Sequence, residues 1–232
     1  MHFSGKSTLL LVLLQLLEPQ SGKIELDGID IRHVSLDLLR ERCFIAVSQD
    51  SLILPNETLR FNLHPGTSMS DNIIIAALAK TGLWAHFFSS DTRIEAKTDT
   101  ATNAAGFHEQ LVLDRKVLSF KELSVGQCQL FALCRALVKA SSLRNFGLRP
   151  VILLDEVTSS LDTTTEVTIN RIINDEFTEQ GHTVIIVAHR LGAFQEHTET
   201  RRDAVALLAD GELREVIRDL ESATFQRLQR MV

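Results

Sequence analysis

The chain has 232 residues, 44% of them hydrophobic, and a formal net charge of −6 at pH 7, which suits one sizeable α/β core without a Pro-, Gly- or Ser-rich linker. With no long Lys or Arg run, that charge argues against nucleic acid as the main partner, because binding to a phosphate backbone needs clustered cations. The three cysteines, Cys43, Cys128 and Cys134, form no C-x-x-C pair and read as buried structural thiols of a reducing compartment.

The chain opens on Ser4-Gly5-Lys6-Ser7-Thr8, followed by the apolar run Leu9 to Leu17. Backbone N–H groups at a helix start suit phosphates, the lysine suits the terminal phosphates, and the hydroxyl suits a magnesium ion. The full phosphate-loop pattern asks for a further glycine that would fall ahead of Met1, so the first strand and part of the loop are expected to be missing. The charged start and apolar run also look like a secretory signal. No small-x-small cleavage site follows, since the next residues are Glu18-Pro19-Gln20, and the run is too short to span a bilayer. A buried helix packed under a sheet is the expectation.

Lys23 to Leu26 before Asp27-Gly28 predicts a strand entering a tight turn, Leu36 to Arg42 a short helix, and Phe44 to Ser48 a second strand ending at Gln49. From an N-cap at Ser70 to Phe88, apolar residues recur at helical spacing and begin a helical insert. Residues 91–118 are polar and irregular and predict no particular element. Ser124 with Gln127 is a capping box before the apolar helix positions Leu130, Phe131, Leu133 and Leu137. Val151-Ile152-Leu153-Leu154-Asp155-Glu156 then reads as a strand buried on both faces that delivers two carboxylates to its carboxyl end, where ligands of parallel sheets bind. Asp162 reads as an N-cap for a helix through Ile169, Thr183 to Ala188 as another doubly buried strand, and Ala204 to Leu208 as a strand ending in the hairpin turn Asp210-Gly211. Val216 to Met231 reads as an amphipathic helix. The alternation of strands and helices on either side of residues 65–140 predicts a parallel-sheet core with a helical subdomain spanning roughly that stretch.

Along the chain come Gly5-Lys6-Ser7-Thr8, Val47-Ser48-Gln49-Asp50, Leu123-Ser124-Val125-Gly126-Gln127, Asp155-Glu156, Ser159-Ser160-Leu161-Asp162 and Ala188-His189-Arg190. In this order the segments resemble the Walker A, Q-loop, signature, Walker B, D-loop and H-loop of the ATP-binding cassette ATPases, over almost the whole length of the chain. The stretch from Gln49 through Pro55 to Leu63, with Gly82-Leu83-Trp84 and the Leu-Ser-Val-Gly-Gln segment, is similar to the second nucleotide-binding domain of multidrug-resistance-associated exporters, the C subfamily. Glu156 fits, because the first domain of that subfamily often carries Asp there. Departures are Phe3, where related loops often carry glycine, Cys128, where a basic residue is common, and Val157, where Ala is common.

The resemblance implies an α/β fold, a P-loop NTPase core with a mostly parallel sheet plus a helical signature subdomain, residues 1–232 forming a single domain incomplete at its start. It implies ATP and Mg2+ as ligands, with Ser4, Gly5, Lys6, Ser7 and Thr8 around the phosphates. Ser7, Gln49 and Asp155 would serve the metal, Glu156 would be the general base, and Gln49 and His189 would meet the γ-phosphate. Leu123, Ser124, Val125, Gly126 and Gln127 would close over the nucleotide of a second cassette in a head-to-tail sandwich with Asp162 at its seam. Transmembrane domains would be the further partners, with this chain at the cytosolic face of a membrane and no membrane span of its own. The alternatives are a cassette ATPase driving a non-transport machine, or a truncated cassette with impaired nucleotide binding. The chain contains no Tyr, so the aromatic platform for adenine usual in this family would have to come from another residue. With the first strand and that platform missing, weak ATP binding is expected.

Overall fold

The computed structural model describes residues 5–66, 69–89, 104–159, 161–188, 199, 202–220 and 222. They divide into two compact units. The first comprises Met1–Ala46, Pro150–Ser160 and Ile173–Val232, and the second Val47–Arg149 and Leu161–Ile172.

In the first unit, helix α1 (Lys6–Leu13) is followed by the antiparallel pair β1 (Glu25–Leu26) and β2 (Ile29–Asp30). Asp27 and Gly28 between them both take positive φ, 50° and 81°, which is what a two-residue turn matched to strand twist demands. A single helical turn α2 (Leu36–Leu38), capped by Ser35, widens into a π turn over Leu39–Cys43 and leads into β3 (Phe44–Val47). Strands β4 (Val151–Asp155) and β5 (Val184–Val187) run parallel, and the sheet order is β3-β4-β5. Val151, Ile152, Leu153 and Leu154 are all buried, as a strand covered on both faces must be. The strand β5 is only half-buried apart from Val187, contrary to its expected double burial, because it lies at the end of this sheet. Its register still sets Leu153 opposite Ile185 and Leu154 opposite Ile186.

Leu10, Ile31, Leu39, Phe44, Val151, Leu153 and Val187 form one hydrophobic cluster of this unit. Each fully buried aliphatic side chain contributes about 1.5 to 3 kcal/mol. Helix α1 joins that cluster on one side only. Leu10 is buried, whereas Leu9 and Leu11 remain 42% and 39% exposed, so the helix expected to pack under a sheet does so through one face. Strands β6 (Val205–Ala209) and β7 (Glu212–Ile217) make a second hairpin on Asp210-Gly211, again with both φ positive. Val216 and Ile217, expected to open a C-terminal helix, belong to β7; residues 223–232 lie outside the described residues. Five of the six residues of β7 are exposed, so the strand lacks the alternation that distinguishes a half-buried strand from an amphipathic helix.

The second unit is helical. It contains α3 (Leu59–Leu63), α4 (Asp71–Lys80), α5 (Leu83–Ser89), α6 (Ala104–Leu113), α7 (Val125–Arg144) and α8 (Thr163–Ile173), the last reaching one residue into the first unit. The helix expected from Ser70 through Phe88 breaks at Gly82, whose φ of 72° ends α4 before α5 begins. Ser70 adopts cap backbone geometry, but its side chain accepts no bond from the first turn. Asp71 instead pairs with Arg60, which also donates to Asp114 at 2.8 Å, and both carboxylates raise the guanidinium pKa. This ties the starts of α3 and α4 to the end of α6. Among the described residues, no helix is long and apolar enough to cross a membrane.

Phe87 is fully buried and meets Phe120 and Phe131 edge-on at ring-centroid distances of 5.0 and 6.1 Å. Phe87→Ala removes both contacts and leaves a cavity, so the helical unit is expected to lose about 3 to 5 kcal/mol. The sole tryptophan, Trp84, lies on the same helix, so urea unfolding followed by its fluorescence measures this loss directly.

Candidate functional site

Gly5 has φ 80°, a left-handed conformation open to glycine at little cost, and it turns the chain straight into α1 at Lys6. This puts the hydroxyl of Ser7 against the end of β4, where its Oγ donates to Asp155 Oδ1 at 3.2 Å. Lys6 Nζ donates to the carbonyl of Ala188 at 3.2 Å, just past the end of β5. Three separate parts of the sequence therefore meet at one edge: the start of α1 and the carboxyl ends of two parallel strands.

Glu156 extends the strand ladder by one bond, its amide donating to Val187 O at 3.0 Å. It then departs from strand geometry with φ 52°. A residue with a Cβ pays about 1 to 2 kcal/mol for that conformation, and the following turn holds it there: Glu156 O accepts from Ser159 N at 3.0 Å and from Ser159 Oγ at 2.9 Å.

The donor set fits Mg2+. An ion held at 2.0 to 2.1 Å places neighbouring ligand oxygens about 3 Å apart, close to the Ser7 to Asp155 spacing of 3.2 Å. Among the described residues no cluster of three or more His, Cys, Asp or Glu side chains could hold a metal, and magnesium bound beside phosphates needs only one or two protein carboxylates.

In the second unit, the capping box at the head of α7 is fully formed. Ser124 Oγ accepts from Gln127 N at 3.2 Å, and Gln127 Oε1 accepts from Ser124 N at 2.9 Å. The amide of Gln127 extends the network to His86 Nδ1 at 3.3 Å, and the other ring nitrogen of His86 reaches Lys121 O at 3.0 Å. With Nε2 donating to that carbonyl, Nδ1 accepts from Gln127, which assigns the tautomer. No motif pointed to His86. A Cβ on Gly126 would approach Thr165 Cγ2 to 3.0 Å, so the glycine permits close passage of α8 beside this turn.

Thr165 is itself fixed by Asp162, which accepts from its amide at 3.0 Å and its hydroxyl at 2.7 Å. These two bonds hold the Asp162 carboxyl below its ordinary range. Asp162 is thus the N-cap that the sequence predicted. Gln49, Leu123 to Gln127 and Asp162 belong to the second unit, whereas Gly5, Lys6, Ser7, Thr8, Asp155 and Glu156 belong to the first. Ser4 and His189 lie outside the described residues. Of the cysteines, only Cys134 is fully buried, its thiol pKa pushed up to about 12 by that burial; Cys43 and Cys128 are half-buried.

Residues 4–159 match the family described as ABC transporter. The chain belongs to that family. Among its relatives are ABC transporter C family member 9 of Arabidopsis thaliana, 34% identical over 91% of this chain and 12% of that protein, and the ATP-dependent bile acid permease of Saccharomyces cerevisiae, 32% identical over 91% of this chain and 12% of that protein. The chain thus spans about an eighth of the length of these relatives. A bacterial Atm1-family ABC exporter solved with ATP bound superposes with a TM-score of 0.69 at 26% identity, over 99% of this chain and 35% of the other. The matched stretch contains the Gly5 to Thr8, Gln49, Leu123 to Gln127 and Asp155-Glu156 segments, and ends before Asp162.

Two outcomes follow from this geometry. Ser124→Ala removes the hydroxyl acceptor of the capping box and is expected to lower stability by about 1 kcal/mol, measurable in the Trp84 urea transition. Because the Asp162 pKa is depressed by folding, its cap contributes fully above the ordinary Asp value of about 4 and is lost as pH falls through the lowered value. The Thr165 amide resonance should follow that titration, and Asp162→Asn should abolish it.

Proposed function

We propose that this chain is an ATP-binding and ATP-hydrolysing cassette that powers export across a membrane. The observation that carries the reading is the Ser7 to Asp155 contact, which sets the Gly-Lys-Ser segment against the strand end that continues into Glu156. The names of the relatives, transporters and a permease, favour export over a non-transport machine.

In this reading the helix start at Gly5 to Thr8, with its N–H groups and positive dipole end, receives the phosphates of ATP. Lys6 leaves the Ala188 carbonyl for the terminal phosphates, where its ammonium meets full negative charge. Ser7 and Asp155 would hold Mg2+, which would supply neutralisation of phosphate charge, and Gln49 is assigned to the same ion only by its place in the family order. Phosphoryl transfer to water asks the protein chiefly to position groups and stabilise spreading negative charge.

Glu156 takes the proton from the attacking water as its oxygen bonds to the γ-phosphorus and the bond to the β-γ bridging oxygen breaks. ADP then departs with that oxygen. Gln49 and His189 are assigned to the γ-phosphate by their places in the family order. The turn Leu123, Ser124, Val125, Gly126 and Gln127 is assigned to the nucleotide of a second cassette, and Asp162 to the seam of that head-to-tail pair. Nucleotide between two cassettes acts as the bond that closes them; hydrolysis releases them, and the motion acts on transmembrane domains from the cytosolic face.

Glu156→Gln keeps the size and polarity of the side chain but cannot take a proton. It is expected to lower Mg-ATP turnover by about 100-fold to 10,000-fold, with Mg-ATP affinity little changed, as phosphate release and calorimetric titration would record. Turnover that persists at the parent rate would overturn the assignment of Glu156. Absence of Lys6-dependent Mg-ATP binding by the parent chain would overturn the ATPase reading itself.

A further inference from the structure

The irregular stretch from Gln49 to Leu54 is neither helix nor strand, so its backbone groups must find partners outside a ladder. Two of its carbonyls, those of Gln49 and Leu52, find them on α7, where the hydroxyl of Ser51 also bonds. Gln129 Nε2 donates to Gln49 O, Ser51 Oγ donates to Cys128 O at 2.7 Å, and Arg135 Nη2 donates to Leu52 O at 2.8 Å. Arg135 Nε reaches Asn62 O at 2.7 Å, and Asn62 in turn brackets Leu54, accepting from its N at 2.8 Å and donating to its O at 2.9 Å. All of these residues belong to the second unit.

Two of the side chains are in unusual places. Gln129 is 7% exposed on a helix face otherwise given to apolar residues, and burying an amide is unfavourable unless its hydrogen bonds compensate. Arg135 lies over the Phe131 ring, 5.6 Å from its centroid, in a setting whose burial lowers its pKa. Among the described residues it forms no ion pair with a carboxylate and instead directs its planar fork at two carbonyls, a geometry that a lysine does not reproduce. A helix stabilised by packing alone would not need a buried amide and a half-buried guanidinium both aimed at one neighbouring loop.

We propose that Gln129 and Arg135 are positioning residues that clamp the Gln49 to Leu54 backbone to α7, so that Gln49 and the signature turn at the head of α7 move as one body. The functional part of this inference rests on the assignment of Gln49 to the γ-phosphate. Gln129 stands two residues beyond Gln127, so contact of Gln49 with a γ-phosphate is transmitted to the signature turn through rigid helix rather than through a loop. Release of the clamp leaves the Gln49 segment to be ordered by nucleotide, and ordering a loop opposes binding.

The test uses the full chain with Gln129→Leu, Arg135→Met, Arg135→Lys and the milder Ser51→Ala. Hydrogen exchange without nucleotide is expected to speed up about tenfold across residues 51–54, the loss of one net hydrogen bond, while the amides of Phe131 to Val138 keep their protection. Arg135→Lys should recover only part of the wild-type protection, and Ser51→Ala reports on the clamp even where a core variant fails to fold. In titrations, Gln129→Leu should weaken Mg-ATP about tenfold, again the worth of one hydrogen bond, and leave Mg-ADP unchanged, because ADP has no γ-phosphate for Gln49 to meet. Unaltered exchange across 51–54 overturns the clamp. Parallel losses for ATP and ADP overturn its positioning role in favour of a purely structural one. Faster exchange in a chain whose parent binds neither nucleotide supports the clamp and overturns the ATPase reading, so the two failures are distinguishable.

Discussion

Burial of Val151 through Leu154 is the constraint on which the first unit depends. A slip of β4 by one residue would carry the Asp155 carboxylate into the core, where an unpaired charge is costly by several kcal/mol. The apolar run therefore fixes where the strand stops, and with it where the acidic pair begins. Parallel pairing with β5 places Asp155 opposite Val187, so Ala188 arrives at the same edge and offers its carbonyl to Lys6. The chemistry of the edge is a by-product of hydrophobic registration.

The second unit is organised differently. Its axis is α7, a helix with residues such as Phe131, Leu133, Val138 and Ala140 buried along its length. Hydrophobic packing is not directional and leaves a helix free to turn slightly about its axis. Polar bonds supply the orientation that packing lacks: the box at Ser124 and Gln127, the His86 relay to Lys121, and the contacts to the Gln49 segment each fix one azimuth of the helix. Arg60, between Asp71 and Asp114, does the same for the shorter helices.

Legibility followed burial and local chemistry. The β4 strand was readable because its continuous apolar run ends in charges; the two Asp-Gly turns were readable because only a few residues accept two successive positive φ values. The capping box and the Asp162 cap were readable because each is a local pattern of hydrogen-bonding side chains. The break at Gly82 was missed because apolar residues keep helical spacing on both sides of it, and β7 was missed because its exposed face lacks strict alternation. The reach of Lys6 to Ala188 and of Gln129 to Gln49 could not be read from spacing at all, since the partners lie far apart in sequence.

The left-handed backbone of Glu156 has a further consequence. Glycine at that position would relax the conformation, and asparagine would tolerate it better than glutamate does, so folding free energy and proton transfer favour different residues at the same point in the chain. A stability screen blind to turnover would therefore select against this glutamate. The position marks where a search for more robust variants and the proposed chemistry of the protein diverge.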